Sequence, residues 1–189
     1  MNFPLVQASP YQVLLFIAPG AARRQMLAWI ALQAGTGKVR VIDGGNQFNV
    51  YQVAKHIRRQ TSGVYETLHN ISVSRSFSCY QMTAMLEKTP PAATPLFILD
   101  FLFSYYDEDI RLRESQRLLQ KALRTIYRIS RHSTVVISTR PQMYSPDRSC
   151  LLDRLRETAT QQWEIEGETP PVIHVPALPW PDEASKKEE

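Results

Sequence analysis

The chain has 189 residues, 43% of them hydrophobic and 21% charged, with a formal net charge of +4 at pH 7. These totals exclude wholesale disorder and favour one hydrophobic core over two ordinary domains. No apolar run approaches the roughly 20 residues of a membrane helix, and the N-terminal stretch lacks the basic start and apolar run of a signal peptide.

The first half of the chain alternates apolar runs with helical patterns. The run from Val13 to Ile17 predicts a buried strand, and the apolar stripe after it indicates a helix that stops at Gly35. A second strand is expected to end at Asp43, and "NISVS" predicts a short third one. Asn49 and Ser78 each precede a helical pattern and have a glutamine three residues later, which resembles a capping box.

The second half repeats this alternation. The unalternating run "LFILD" predicts a strand buried on both faces, followed by a long helix from about Asp109 to His132. "TVVIST" predicts another buried strand and "LLDRLRE" a short helix, and "QQWEIEG" with "PVIHV" is expected to form an antiparallel pair. The sequence therefore predicts an α/β fold with a twisted, mainly parallel sheet, helices on both faces and a C-terminal antiparallel strand pair. A single domain is expected over 1–178, with a disordered charged tail over 179–189.

The turn after the first strand stands where a phosphate-binding loop would stand. Such a loop reads G-x-x-x-x-G-K-[ST], because glycines let backbone N–H groups wrap the phosphates, lysine reaches the outer phosphates and the hydroxyl binds magnesium. Here the Pro19–Gly20 turn is kept, but Arg23, Arg24 and Gln25 occupy the three key positions. Two interpretations stay open: a degenerate loop that still binds an anion at the helix start, or a plain strand–turn–helix junction with solvated arginines.

Asp100 and a row of cations are the other candidate functional residues. Asp100 ends an apolar strand, as does the carboxylate that NTPases place beside magnesium. Five cations on the long helix are spaced 4, 3, 4 and 3 residues apart, so they form a row that could meet phosphates or be a solvated face. The candidate DNA-binding residues are Arg117, Lys121, Arg124, Arg128 and Arg131 on this helix, and Arg140 and Arg148 beyond it.

The sequence gives no support for nucleophilic catalysis, a disulfide framework or a metal site. The two cysteines lie far apart, and the four histidines have no ligand spacing, so neither a disulfide framework nor a metal site is expected. No serine or cysteine belongs to a recognisable nucleophile arrangement. We therefore predict no catalytic residue and no metal.

The order of segments resembles the core of the RecA/RadA recombinases, particularly their short degenerate paralogs. The resemblance covers about Val13 to Val175. Four stretches carry it. The first strand, loop and helix stand at the place of the Walker A motif, and "VRVIDGGNQFNVYQVAKHIRR" stands at the second strand and helix. A segment with Arg75, Phe77 and Gln81 follows, and the stretch from "LFILD" to "ISTRP" stands at the place of Walker B and an arginine-rich helix.

This resemblance implies a RecA-like P-loop NTPase fold without its chemistry. Arg24 replaces the Walker lysine, and Gly45 falls where the family has its catalytic glutamate. Thr139 and Arg140 occupy a strand end that tends to sense phosphate in the family, and Asp100 is retained. The resemblance thus implies a pseudo-ATPase with no cofactor, or with ATP bound weakly at most.

Three functions remain open. The first is an accessory factor in DNA recombination or repair that binds DNA (single-stranded DNA included), a recombinase or another paralog, as part of a hetero-oligomer. The second is a weak ATP-binding protein or ATPase in which Arg24 and Asp100 still hold nucleotide. The third is a pure protein-interaction module on the same fold. In each case we expect no membrane partner and a cytoplasmic or nucleoid-associated protein, or a nuclear one in a eukaryote.

Overall fold

The computed structural model describes residues 10–141 and 146–165. The strands are β1 (Val13–Ile17), β2 (Val39–Asp43), β3 (Ile71–Arg75), β4 (Leu96–Leu99), β5 (Val135–Thr139) and β6 (Gln161–Glu164). The α-helices are α1 (Arg23–Ala34), α2 (Val50–Arg58), α3 (Val64–His69), α4 (Cys79–Lys88), α5 (Leu112–Ser130) and α6 (Ser149–Thr158). Within these ranges no helix combines the length and apolar character that a membrane span requires.

The six strands form one sheet in the order β3-β2-β4-β5-β1-β6. Every strand pairing in the described part of the chain is parallel, which confirms the predicted α/β architecture. β6 lies parallel to β1, with Leu14 opposite Gln161, a pairing that the sequence did not predict. The expected partner strand at 171–175 and the predicted tail at 179–189 lie outside the described residues.

Helices cover both faces of the sheet, and this explains why its central strands are apolar throughout. α1 packs with α2 and α3, whereas α4 packs with α5 and α5 with α6. Along β1, Leu14 and Phe16 belong to the core beneath α1 and α2, while Leu15 and Ile17 belong to the core beneath α4, α5 and α6. Alternate side chains of one strand therefore enter two different cores.

Neighbouring strands diverge to opposite faces of the sheet at its carboxyl edge, as β3 and β2 do into α4 and α2. β1 leads into α1 on one face, while its neighbour β5 leads towards α6 on the other. β2 and β4 diverge in the same way, into α2 and α5. Ligands of open α/β sheets bind where neighbouring strands diverge to opposite faces. The residues that follow β1, β2, β4 and β5 are therefore the ones to examine for a site.

Local capping holds two of the helices that frame this edge. The Asn49 carboxamide oxygen accepts a hydrogen bond from the Gln52 amide at 3.0 Å. At α4 the Ser78 hydroxyl accepts from the Gln81 amide at 3.2 Å, and the Gln81 side chain accepts from the Phe77 amide at 2.8 Å. Both predicted helix starts are confirmed, and at α4 the Gln81 side chain reaches back to the amide of the residue before the N-cap, as a variant of the capping box.

Candidate functional site

The loop after β1 makes a tight left-handed turn into α1. Gly20, Ala21 and Ala22 have φ values of 62°, 54° and 50°. A left-handed conformation costs a non-glycine residue roughly 1–2 kcal/mol, so the packing around the buried Ala21 and Ala22 must hold it. No side chain in the described ranges caps the start of α1. Its first amides therefore face the carboxyl edge without a side-chain acceptor, which is the geometry of a helix-terminus anion site.

The two loop arginines have different roles in the structure. Arg23 is half-buried, and its Nε donates a hydrogen bond to the backbone oxygen of Gln47 at 3.0 Å. Arg24 is exposed, and its guanidinium bonds to no other residue that the structure describes. Gln25 is half-buried at the helix start. Arg23 thus ties the β1 loop to the β2 loop, and Arg24 is the cation that remains available to an anion.

Asp100 lies at the end of β4 and is paired with Arg140 from the end of β5. Nη2 of Arg140 is 2.6 Å from Oδ2 of Asp100, whose side chain is only 1% exposed. The Arg140 guanidinium also lies over the Phe103 ring, 4.9 Å from its centroid. The Asp100 amide donates to the Ser138 hydroxyl at 3.2 Å, with a φ of 50° at Asp100. β4 and β5 therefore present a carboxylate and a guanidinium to each other as direct neighbours.

Burial dominates the electrostatics of this pair. Loss of hydration raises the pKa of Asp100, and the charge and hydrogen bonds of Arg140 act in the opposite direction. Oδ1 of Asp100 and Nε of Arg140 are buried and have no hydrogen-bond partner among the described residues. A magnesium ion at this carboxylate would need several oxygen ligands in an octahedral arrangement. It could bind Oδ2 only after Arg140 had moved away.

The backbone of the β2 loop fills the space in front of Asp100. A Cβ at Gly45 would collide with the Cβ, Cγ and Oδ2 atoms of Asp100. A Cβ at Gly44 would lie 2.7 Å from the Met82 methyl carbon and 3.1 Å from the Asp100 backbone oxygen. Both positions therefore require glycine as long as Asp100 keeps its place. The position that the resemblance assigns to a catalytic glutamate has no room for any side chain.

Asp43 is a second buried carboxylate at this edge, to which sequence reasoning gave no role. Its two oxygens accept hydrogen bonds from the Gln47 amide at 2.8 Å and the Phe48 amide at 3.0 Å. Arg75 lies 3.3 Å from the same side chain. The Gln47 side chain in turn donates to Asp100 at 3.4 Å. The signal was present, because β2 ends in aspartate as does the "LFILD" segment.

The cation row on α5 is present, but much of its charge is used within the molecule. Arg117 donates two hydrogen bonds to Glu114, at 2.8 Å and 2.7 Å, and its hydrogen bonding lowers the pKa of that carboxyl. Lys121 pairs with Glu87 at 2.7 Å. Arg128 donates to the backbone oxygens of Glu87 and Thr89. Arg124 and Arg131 are the two members whose charged groups bond to no described residue.

Arg148 does not belong to a DNA-contacting surface, and that part of the prediction is wrong. Its side chain is buried, with 5% of the residue exposed. Nη1 donates to the Tyr105 backbone oxygen at 2.9 Å and to the Ser115 hydroxyl at 3.2 Å, and Nη2 donates to the Ile110 backbone oxygen. Arg148 thus stabilises the segment between β4 and α5, and its buried guanidinium is not accessible to a phosphate. Arg140, also on the candidate list, is paired with Asp100.

No protein-family model matches the chain, and neither does any curated protein sequence. The function must therefore be argued from the residues at the carboxyl edge.

Proposed function

We propose that this chain is a RecA-like protein that does not hydrolyse ATP and acts as an accessory factor in DNA recombination or repair. It would bind DNA, a recombinase or another paralog, as part of a hetero-oligomer. The Arg140–Asp100 ion pair is the observation that carries the non-hydrolysing part of this proposal. The role in recombination rests on the resemblance of the segment order to the recombinase core.

The topology supports the RecA-like part of the proposal. β1 and β4 lie on either side of β5, so the loop after β1 and the carboxylate after β4 open at the same edge of the sheet. A P-loop NTPase needs this proximity, because its loop cradles the phosphates while its Walker B aspartate helps to hold magnesium. β1 and β5 lead to helices on opposite faces of the sheet. Such a divergence is expected to leave a crevice between the β1 loop and the Asp100 carboxylate.

Three changes at this edge support the loss of hydrolysis. The Arg140 guanidinium neutralises the one carboxylate that resembles a magnesium ligand. Gly45 has no space for a base that would activate water. Arg24, which replaces the Walker lysine, is followed by Gln25 instead of a hydroxyl residue. Hydrolysis requires metal, base and phosphate clamp together, so the loss of all three leaves little to catalyse it.

The first experiment measures phosphate release with magnesium-ATP, with and without single-stranded DNA. We expect release at the level of buffer for the wild type. DNA-stimulated turnover that disappears in Asp100→Ala would overturn the pseudo-ATPase proposal.

The accessory role is tested by adding the protein to DNA strand exchange by a purified recombinase from the same cells. A protein that changes neither the rate nor the yield of exchange would contradict that role.

Weak ATP binding is a second candidate, favoured by one observation. Oδ1 of Asp100 is buried and has no hydrogen-bond partner among the described residues, so a cation that entered this site would find an unused carboxylate oxygen. Isothermal titration with ATP, with and without magnesium, distinguishes the two candidates. Binding that requires both magnesium and Asp100 supports the ATP-binding protein, and the absence of ATP binding with and without magnesium excludes it.

A further inference from the structure

The outer face of α2 and α3 carries exposed aromatic and basic side chains that the carboxyl edge does not use. Tyr51 is 83% exposed and Tyr65 is 73% exposed. Lys55, Arg58 and Arg59 are exposed as well. We refer to these five residues as the α2–α3 surface.

Helix geometry places the α2 members on one side. Tyr51, Lys55 and Arg58 are separated by four and three residues, so they project from the same face of the helix. The opposite face, with Val53 and Ile57, is buried against the sheet. A helix of this length extends about 13 Å. The exposed face therefore forms a strip with an aromatic ring at one end and cations along the rest.

The second tyrosine is held by a neighbouring ring. The Tyr65 and His69 rings lie 4.5 Å apart between centroids, one turn from each other on α3. The His69 ring is fixed in turn by a contact of 2.8 Å between its Nδ1 and the Tyr65 backbone oxygen. α3 packs directly against α2. Tyr65 thus presents a large apolar area to solvent on a supported ring, at a low cost in side-chain entropy on binding.

The charge of this surface is not balanced by ion pairs within the part of the chain that the structure describes. Residues 50–70 contain three lysine or arginine residues and a single acidic residue, Glu66. Lys55, Arg58 and Arg59 form no ion pair with any described residue. On α5, in contrast, Arg117 and Lys121 are each matched by a glutamate. α2 and the residue after it thus carry three cations without an ion-pair partner among the described residues, and α2 packs against α3, which holds the second exposed tyrosine.

We propose that the α2–α3 surface binds single-stranded nucleic acid. Tyr51 and Tyr65 stack on unpaired bases, and the three cations contact the phosphates between them. Tyrosine offers a flat ring to any base, and such stacking combined with backbone contacts is how sequence-independent single-strand binding works. Duplex bases are already stacked on each other, so a duplex would use the cations alone. The proposal rests on the DNA-binding part of the proposed function and names a surface for it on the opposite face of the sheet from the α5 row.

The test is fluorescence anisotropy with labelled oligothymidine of about 20 nucleotides, from about 50 to 200 mM salt. Tyr51→Ala and Tyr65→Ala should each weaken binding about fivefold or more, while Tyr51→Phe and Tyr65→Phe should bind as the wild type does. Lys55→Gln/Arg58→Gln/Arg59→Gln should make the salt slope shallower by about 2, at roughly 0.7 per phosphate contact. All of these side chains are exposed, and unchanged thermal unfolding confirms that the variants fold.

The matched control is Arg117→Gln/Lys121→Gln/Arg124→Gln, which removes the same charge from the α5 row. We expect it to retain the affinity and the salt slope. If this control loses binding while the α2–α3 variants keep it, the inference is overturned but the proposed function keeps its DNA contact. If the tyrosine variants bind normally, or a duplex of equal length competes as well as the single strand, stacking is refuted. A wild type that does not bind oligothymidine at low salt also overturns the inference, and the strand-exchange assay still decides the proposed function.

Discussion

Gly45 packs directly against the carboxylate of Asp100, with no room between them for a Cβ atom. The two residues come from the ends of neighbouring strands, β2 and β4, and the contact includes the Asp100 Cβ as well as its carboxyl group. A rotation of the Asp100 side chain cannot relieve it, since Cβ is fixed by the backbone. The aspartate at position 100 and the glycine at position 45 are therefore parts of one packing arrangement.

The first prediction is that Gly45→Ala destabilises the fold. Overpacking in a rigid environment typically costs about 1–3 kcal/mol, and we expect the free energy of unfolding in urea to fall by that amount. Gly63→Ala is the control, because the tightest contact of its Cβ would be with the flexible end of Glu66, at 3.2 Å, and the Thr61 hydroxyl lies at an ordinary 3.7 Å. The cost at position 45 should shrink in an Asp100→Gly background, where the clashing atoms are gone. Equal costs in both backgrounds would contradict the packing argument.

Features set by local patterns were predictable from the sequence. The β1 strand was expected at Val13–Ile17 and is found there, because continuous apolar residues bounded by turn residues favour a buried strand. The caps at Asn49 and Ser78 depend on residues three positions apart and were also predicted. α3 was missed, since six residues beginning after Gly63 give too little helical periodicity to recognise.

Features set by contacts distant in sequence were not predictable. The pairing of Arg140 with Asp100 follows from the adjacency of β4 and β5, which the order of elements alone does not fix. β6 runs parallel to β1, its neighbour in the sheet. The sequence predicted a pairing of β6 with 171–175 and gave no indication that it would pair with β1. Arg148 looked like a surface cation because its burial depends on how α6 and the β4–α5 segment pack. Charge in a sequence does not reveal whether the fold has already supplied a counter-charge.

The second prediction concerns pH and Arg140. Burial raises the folded-state pKa of Asp100 above its ordinary value of 3.8, and Arg140 opposes that rise. A raised folded pKa means that the stability contributed by Asp100 is fully present below the unfolded pKa and is lost as pH rises through the folded one. Arg140→Gln removes the opposing charge, so the folded pKa rises further and the loss extends to higher pH. The difference in unfolding free energy between wild type and variant should therefore widen as the pH rises above the ordinary pKa of 3.8.

The control for this prediction removes the titrating group. In Asp100→Asn/Arg140→Gln neither charge remains, and the additional pH dependence of Arg140→Gln should disappear. Urea unfolding at several pH values measures all three proteins. A gap between wild type and Arg140→Gln that stays constant with pH would show that Arg140 stabilises the fold without affecting the ionisation of Asp100.

The third prediction separates Arg148 from the surface cations. Arg148→Ala removes charged hydrogen bonds to buried acceptors on Tyr105, Ser115 and Ile110, and it should lower the free energy of unfolding by about 2–4 kcal/mol. Arg154→Ala, an exposed arginine on α6, should change it by less than about 0.5 kcal/mol. Oligothymidine affinity, measured where both variants are folded, should match the wild type for Arg148→Ala. A selective loss of DNA binding in a stable Arg148→Ala protein would restore the original assignment.

The last prediction separates the two arginines of the β1 loop by their different contacts. Arg23 bonds to the Gln47 backbone oxygen, so Arg23→Ala should lower the melting temperature in buffer, by the equivalent of roughly 0.5–1.5 kcal/mol. Arg24 has no such contact, so Arg24→Ala should melt as the wild type does in buffer but lose the stabilisation by inorganic phosphate, since a ligand that binds the folded state raises the melting temperature. Magnesium should add nothing to the effect of ATP, because Arg140 holds the carboxylate that magnesium would need. Stabilisation by magnesium-ATP well beyond ATP alone, abolished in Asp100→Ala, would establish the weak ATP-binding alternative. If no anion stabilises the wild type, the loop is a plain strand–turn–helix junction, and Arg24 is solvated there.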